Sequence, residues 1–232
     1  MKKPLVVMLA CVSTMFHSSA YADYAQGCDD PQYHQYITER FTHFEAKNRR
    51  LFDTTLRDYQ LSLAISNNPY KAISELSRHL KYSAQFDPID KVADKIDRIF
   101  EHSDELSIEQ KIAGDVLDSF SNETHSVGIA RAWSAYRQGA HQVAFKQLLE
   151  SINVTDSAVL GSFGPDFELI RRIYRDGHVA PVVAYINKTE TFWIGDHPDE
   201  LRNVWRKMIT AGCKIQFDTI DKIKAVELGL SR

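Results

Sequence analysis

Glycine and proline are scarce, 10 and 7 in 232 residues, well under the roughly 12% that the two usually make up together. An all-β chain needs many more of both in its turns, so long helices are expected. Cysteine is rarer still at 3. There is no CxxC, and no histidine lies within four residues of Cys28 or Cys213, which removes zinc-ribbon and thioredoxin-like chemistry. No GxSxG, P-loop or GxGxxG occurs. Gly161-Ser162-Phe163-Gly164 lacks the preceding strand of a nucleophile elbow and reads as a flexible connection. Histidines at helical i,i+4 spacing are missing too. His34 and His43, with Glu39 and Glu45 nearby, are nine apart, too far to put both rings at one height on one helix face. No metal site and no cofactor is expected. Positive charge is not in excess, with 28 Lys+Arg against 31 Asp+Glu, so nucleic acid is not an expected partner.

What is present suffices for a packed core, since 44% of the chain is hydrophobic and 25% charged. Lys2 and Lys3, an apolar run from Leu5 to Val12 and a polar stretch ending Ala20-Tyr21-Ala22 have the three-part layout of a cleaved secretory leader. Cleavage after Ala22 would start the mature chain at Asp23. The run is too short for a transmembrane anchor and is interrupted by Ser13, Thr14 and His17. The expected location is therefore periplasmic or secreted. Removal of the leader takes Cys11 with it and leaves Cys28 and Cys213, an even pair that an oxidising compartment would join. The other reading, two separately buried thiols, requires no proximity.

Residues 23–232 read as one all-α domain. Each proline after the leader stands where a helix would open, because the first turn leaves its N–H unpaired anyway. Asp30-Pro31, Asn68-Pro69 and Asp87-Pro88 each place a capping side chain before the proline. Apolar residues recur at helical spacing, as in Ile89, Val92, Ala93, Ile96, Ile99 and Phe100, and in Tyr33, Tyr36, Ile37, Phe41 and Phe44. Period-2 alternation persists nowhere. The spacing predicts helices at about 31–47, 50–66, 69–84, 88–102, 107–120, 126–138, 141–152, 165–176, 179–193, 198–211 and 218–228. Gly139, Gly177 and Gly212 are predicted helix ends. With short connections, successive helices should be antiparallel neighbours.

Ala135-Tyr136-Arg137-Gln138-Gly139 echoes Ile173-Tyr174-Arg175-Asp176-Gly177, 38 residues apart, about one helical hairpin of a solenoid. On these residues the chain, over about 126–211, resembles the tetratricopeptide-like family of stacked helical hairpins. Trp133, Tyr136, Gly139 and Ala144 suit that family's pattern, while its closing proline is missing. The stretch from Gly164-Pro165-Asp166 through Tyr185 to Phe192-Trp193 is also similar to the end segment of some bacterial helical proteins. The resemblance implies a right-handed stack that presents binding surfaces, and it carries no activity.

Charge divides the domain. Residues 23–125 hold 12 Lys+Arg against 19 Asp+Glu, and 126–232 hold 14 against 12, an acidic half and a mildly basic one. In the basic half, Arg171, Arg172 and Arg175 fall together on one helix, and Arg202 and Arg206 are a turn apart on a later one. If the two faces align they form a cationic patch flanked by Trp193 and Trp205. The expected function is a non-enzymatic, exported binding module, adaptor or inhibitor whose partner is an envelope or secreted protein. The competing expectation is an envelope hydrolase of glycan or peptide working with a single buried carboxylate, for which Glu45 and Glu123 are candidates. That reading demands a cleft holding an acid whose pKa burial has raised.

Overall fold

Prolines open the helices. In the computed structural model, which describes residues 24–65, 68–111, 119–153 and 157–231 and only the backbone of 119–121, Pro31 and Pro69 are the first residues of α1 (Pro31–Ile65) and α2 (Pro69–Phe86). Asp30 accepts the Gln32 N–H at 2.8 Å, and Asn68 accepts those of Tyr70 and Lys71 at 3.0 and 3.4 Å. Asp87 departs from the expected plan. Its carboxylate takes Lys95 Nζ and the Ser83 hydroxyl, both at 2.7 Å, and Pro88 precedes α3 (Ile89–Asp104) without a side-chain cap. The remaining helices are α4 (Ser119–Arg137), α5 (His141–Glu150), α6 (Ala158–Phe163), α7 (Glu168–Arg175), α8 (Val179–Lys188), α9 (Asp196–Thr210) and α10 (Ile220–Glu227). Among the described residues there is no strand. The leader expected at 1–22 lies outside them, as does half of the helix expected at 107–120, residues 112–118.

Three expectations are corrected. The first two predicted helices are one, 35 residues long and so about 50 Å from end to end. No proline or glycine interrupts it. Asn48, in the expected gap, is buried and donates its amide to Gln85 Oε1 and Glu168 Oε2, both at 3.1 Å. Its polar side chain is thus satisfied across helices instead of bending its own backbone. The second correction is Gly161-Ser162-Phe163, which is no loose connection but the second half of α6, capped by Ser157 Oγ on the Leu160 N–H at 3.1 Å. The third is the helix expected at 126–138, which already opens at Ser119, so that His125 lies buried within α4.

The helix ends follow the expected chemistry. Gly139 and Gly177 have φ of 77° and 92°. The next N–H in each case reaches back five residues, Ala140 to Ala135 O at 2.9 Å and His178 to Ile173 O at 3.1 Å, the closing geometry that a left-handed glycine permits. The two turns with matching sequence touch. Tyr136 Oη donates to Asp176 Oδ2 at 2.7 Å, and the Tyr136 ring stacks on His141, 4.8 Å between centroids, beside His178.

Neighbours in sequence pack on one another from α1 to α3 and again from α7 to α10, and α4 lies against α2, α3, α5 and α6. That makes α4 the central helix. Val127, Ile129, Ala130, Ala132, Trp133, Ala135 and Tyr136 are all buried, on several sides of it. The two ends of the described chain meet. Cys28 and Cys213 are joined, with 4.8 Å between their Cα atoms. The Tyr24 N–H donates to Glu227 O at 3.2 Å, and the Tyr33 hydroxyl donates to Lys214 O. Among the described residues no helix is long and apolar enough to cross a membrane.

Candidate functional site

The arginines and tryptophans singled out by sequence do not share one face. Arg202 is 2% exposed, with Nη1 on Trp193 O at 2.8 Å and Nη2 on Asp199. It ties the turn before α9 to that helix. Trp205 is core, and its indole N–H donates to Asp221 Oδ2 at 3.0 Å. Trp193 is buried beside it, 6.2 Å between ring centroids. Arg206, on the outer side of α9, pairs with Glu190 and donates to Asn187 Oδ1 at 2.8 Å. On α7, Arg171 is buried and held by Gln216 O and Glu168 Oε2, both at 2.6 Å, over the Phe44 ring at 4.2 Å. Arg172 pairs with Asp176 at 2.8 Å and Arg175 lies over Phe41 at 5.2 Å. The α7 arginines border a small groove of 180 Å³ with Phe41, Phe44 and Glu45. The α9 arginines are elsewhere, and the tryptophans are occupied by packing.

A larger cleft of 570 Å³ lies between α3 and the α4–α5 pair. Helical spacing builds it. Glu123, Val127 and Arg131 recur every four residues along one side of α4, with Thr124 and Gly128 beside them. Ile99, Phe100 and Ser103 come from α3, Gln147, Glu150 and Ser151 from the end of α5, and Ile73 of α2 adds an apolar wall. Lys111 and Arg131 are exposed at the cleft, and Arg131 stands over the Phe100 ring at 5.9 Å. Phe100, whose spacing placed it with the core stripe of α3, is instead half exposed here. Gly128 sets how near α4 and α5 approach. A Cβ on it would fall 2.6 Å from Ser151 Cβ and 3.0 Å from Ser151 Cα, so any larger residue pushes the two helices apart.

Glu123 is the unusual group. It is 8% exposed, and its Oε2 is fully buried with no hydrogen-bond partner among the described residues. Gln147 Oε1, on the same cleft, is likewise buried and unpaired among them. Burial pushes the Glu123 carboxyl up to about 7, since the charged form is the one that loses most on leaving water. A carboxyl near that value can give or take a proton at neutral pH. Glu45, the other carboxylate considered, is exposed on α1.

A second polar cluster is internally satisfied. Lys81 Nζ meets Asp166 Oδ2 at 2.6 Å, the Asp166 N–H donates to His125 Nε2 at 3.2 Å, and His125 Nδ1 faces Ser151 O at 3.0 Å. Burial opposes ionisation of Asp166, but the Lys81 ammonium outweighs it and holds the carboxyl below the usual range. Desolvation keeps His125 neutral, consistent with one ring nitrogen donating and the other accepting. This set ties α2, α4 and the start of α7 together and leaves no group over for a ligand. Asp221 is also buried, pushed up to about 7 by burial and the Asp218 carboxylate, and it accepts N–H groups from Trp205, Gln216 and Asp218. Among the described residues no group of three or more His, Cys, Asp or Glu is placed to hold a metal ion.

Sequence reasoning raised Glu123 but had no means to set it apart from solvated acids. One signal was available: from Thr124 to Ala130 the chain has no Asp, Glu, Lys or Arg, as expected of a helix enclosed by others. No protein-family model, no curated protein and no solved structure matches this chain.

Proposed function

We propose that this chain is an exported, non-enzymatic binding protein built on tetratricopeptide-like stacked hairpins, and that its recognition site is the Glu123 cleft. Its partner is an envelope or secreted protein, or a small molecule of that compartment, that seats one group in the cleft. The observation that carries the reading is the buried Glu123 oxygen, unpaired among the described residues, at the wall of a 570 Å³ cavity that Ile73, Ile99, Phe100 and Val127 line on other sides. A buried polar atom without a partner destabilises the free protein by roughly 1–3 kcal/mol, and a ligand that pairs it returns that energy as affinity. Cavities in this size range are where small ligands and projecting side chains bind. The contact between the Gly139 and Gly177 turns supports the hairpin stack, and the Cys28–Cys213 link suits an oxidising compartment. The test is capture from an envelope extract with the mature chain and with Thr124→Trp, which fills the cleft from an exposed position. A stoichiometric partner lost in the variant is the expected result. Partners that bind both forms equally would place recognition elsewhere.

One observation favours a second reading. Glu123, raised to about 7, shares the cleft with the exposed Glu150, and two carboxyl groups lining one cavity are the equipment of a glycoside hydrolase. Turnover of cell-wall glycan, abolished in Glu123→Gln and in Glu150→Gln, would establish this reading and displace the first.

A further inference from the structure

The buried, unpaired polar atoms of the cleft-lining residues are both acceptors. Glu123 Oε2 and Gln147 Oε1 are buried and unpaired among the described residues, and they line one cavity whose other walls include Ile73, Ile99, Phe100 and Val127. Two unsatisfied acceptors at an apolar wall call for a ligand that brings donors and a hydrocarbon body. A carboxylate or phosphate group has no donor to offer and would meet Glu123 as a like charge. A lone hydroxyl has one donor for two acceptors. A primary ammonium has three N–H donors and the complementary charge. We propose that the cleft binds a primary ammonium on an aliphatic or aralkyl stem, with the nitrogen between Glu123 and Gln147 and the stem against Ile73, Ile99, Phe100 and Val127. This rests on the Glu123 cleft being the recognition site. The same chemistry is available from a free amine and from a lysine side chain of a partner protein.

Among the described residues, the charged groups that face the cleft besides Glu123 are Lys111, Arg131 of α4 and Glu150 of α5, and α2 and α3 contribute only uncharged side chains. Ammonium binding favours the ionised carboxylate, so it draws the proton off Glu123. Because burial holds that carboxyl up at about 7, affinity for the amine rises about tenfold from about pH 6 to about pH 8 and then levels off.

The experiment is isothermal titration of the mature, disulfide-bonded protein with hexylamine, phenethylamine, hexanol, hexanoate and a blocked lysine peptide, across that pH range. The expected result is binding of the amines but not of hexanol or hexanoate, with the stated pH dependence. Glu123→Gln should weaken it at least tenfold and remove the pH dependence, and Thr124→Trp should abolish it. Tighter binding of the peptide than of the free amines identifies a protein lysine as the source, and the reverse identifies a small amine. Hexanol or hexanoate binding as well as hexylamine, and blocked by Thr124→Trp, would overturn the ammonium assignment and leave the cleft as a binding site. No binding of any amine at millimolar concentration overturns the assignment outright. If Thr124→Trp also leaves partner capture unchanged, the cleft reading falls with it. Glu123→Gln keeps the shape of the side chain, and its fold is verified independently by circular dichroism.

Discussion

At the scale of single residues, the glycines differ in what they do, although nothing in their local sequence ranks them. Gly164 has φ of 78°, and a Cβ there would stand 2.7–3.0 Å from the Trp193 ring. Both the backbone region and the space exclude a side chain. Gly164→Ala should therefore lower stability by about 2–4 kcal/mol. Three residues earlier, Gly161 sits within α6, and a Cβ would meet only Phe192 O at 3.4 Å. There, Gly161→Ala should change stability by less than about 1 kcal/mol, the gain in helix propensity offsetting a mild contact. Urea unfolding midpoints of the two variants check the pair, and equal effects would contradict the packing of Trp193 on the α6–α7 turn. Arg202 teaches the same lesson. In sequence it is one of several arginines with helical spacing, and only the arrival of the Trp193 carbonyl and the α8–α9 turn makes it a buried tie.

At the scale of elements, the feature with most leverage is the connection between the two ends of the described chain. The Cys28–Cys213 link spans 185 residues. Closing so long a loop in the unfolded chain removes about 5 kcal/mol of its conformational entropy in the chain-entropy description. The segment around Cys213 also carries Tyr33, Tyr174 and Arg171 through its carbonyls at Lys214, Cys213 and Gln216. Cys28→Ser combined with Cys213→Ser should thus lower unfolding free energy by about 3–5 kcal/mol, measured by urea unfolding under non-reducing conditions. A loss below about 1 kcal/mol would mean that the ends are held by packing alone. Helix starts and stops were legible in sequence, because proline, Asn68 and glycine act within one turn of themselves. The continuity of α1 was not. Asn48 is a poor helix former in isolation, and what keeps it helical is a pair of acceptors 37 and 120 residues away.

At the scale of the whole molecule, buried titratable groups oppose one another. Glu123 and Asp221 are raised to about 7 by burial, so the folded state holds protons that the unfolded chain has released. Their contribution to stability is lost as pH rises from the ordinary carboxylate range through about 7. His79, lowered to about 4, and His125, also lowered, are kept neutral by burial while the unfolded chain binds protons. Their contribution is lost as pH falls below the ordinary histidine value. The two pairs act in the same window with opposite sign. Asp166 and Asp87 are both held low, by Lys81 and by Lys95 with Ser83, against the effect of burial, so their contribution disappears only in acid. Unfolding free energy should be nearly flat between about pH 5 and about pH 8 and fall steeply below about pH 4. Glu123→Gln removes one of the two opposing acids. The variant should match the parent near pH 5 and exceed it by about 2–3 kcal/mol near pH 8. Chemical unfolding of both forms across that range checks the pattern, and parallel curves would show that Glu123 is solvated. A stabilising change at a buried acid is also what a site built for a ligand would show.

The sequence by itself determined what depends on neighbours along the chain. That covers the all-helical class, the openings at proline and the closures at glycine, because capping, φ restriction and apolar spacing operate over a few residues. It also offered Cys28 and Cys213 as a pair. Only the tertiary structure decided which side of each helix was enclosed. It turned Arg202, Asn48 and His125 inward with partners, left Glu123 inward without one among the described residues, and left Phe100 half exposed on the cleft. Burial is a property of which helix faces meet, and those meetings join residues tens to hundreds of positions apart that no local rule connects.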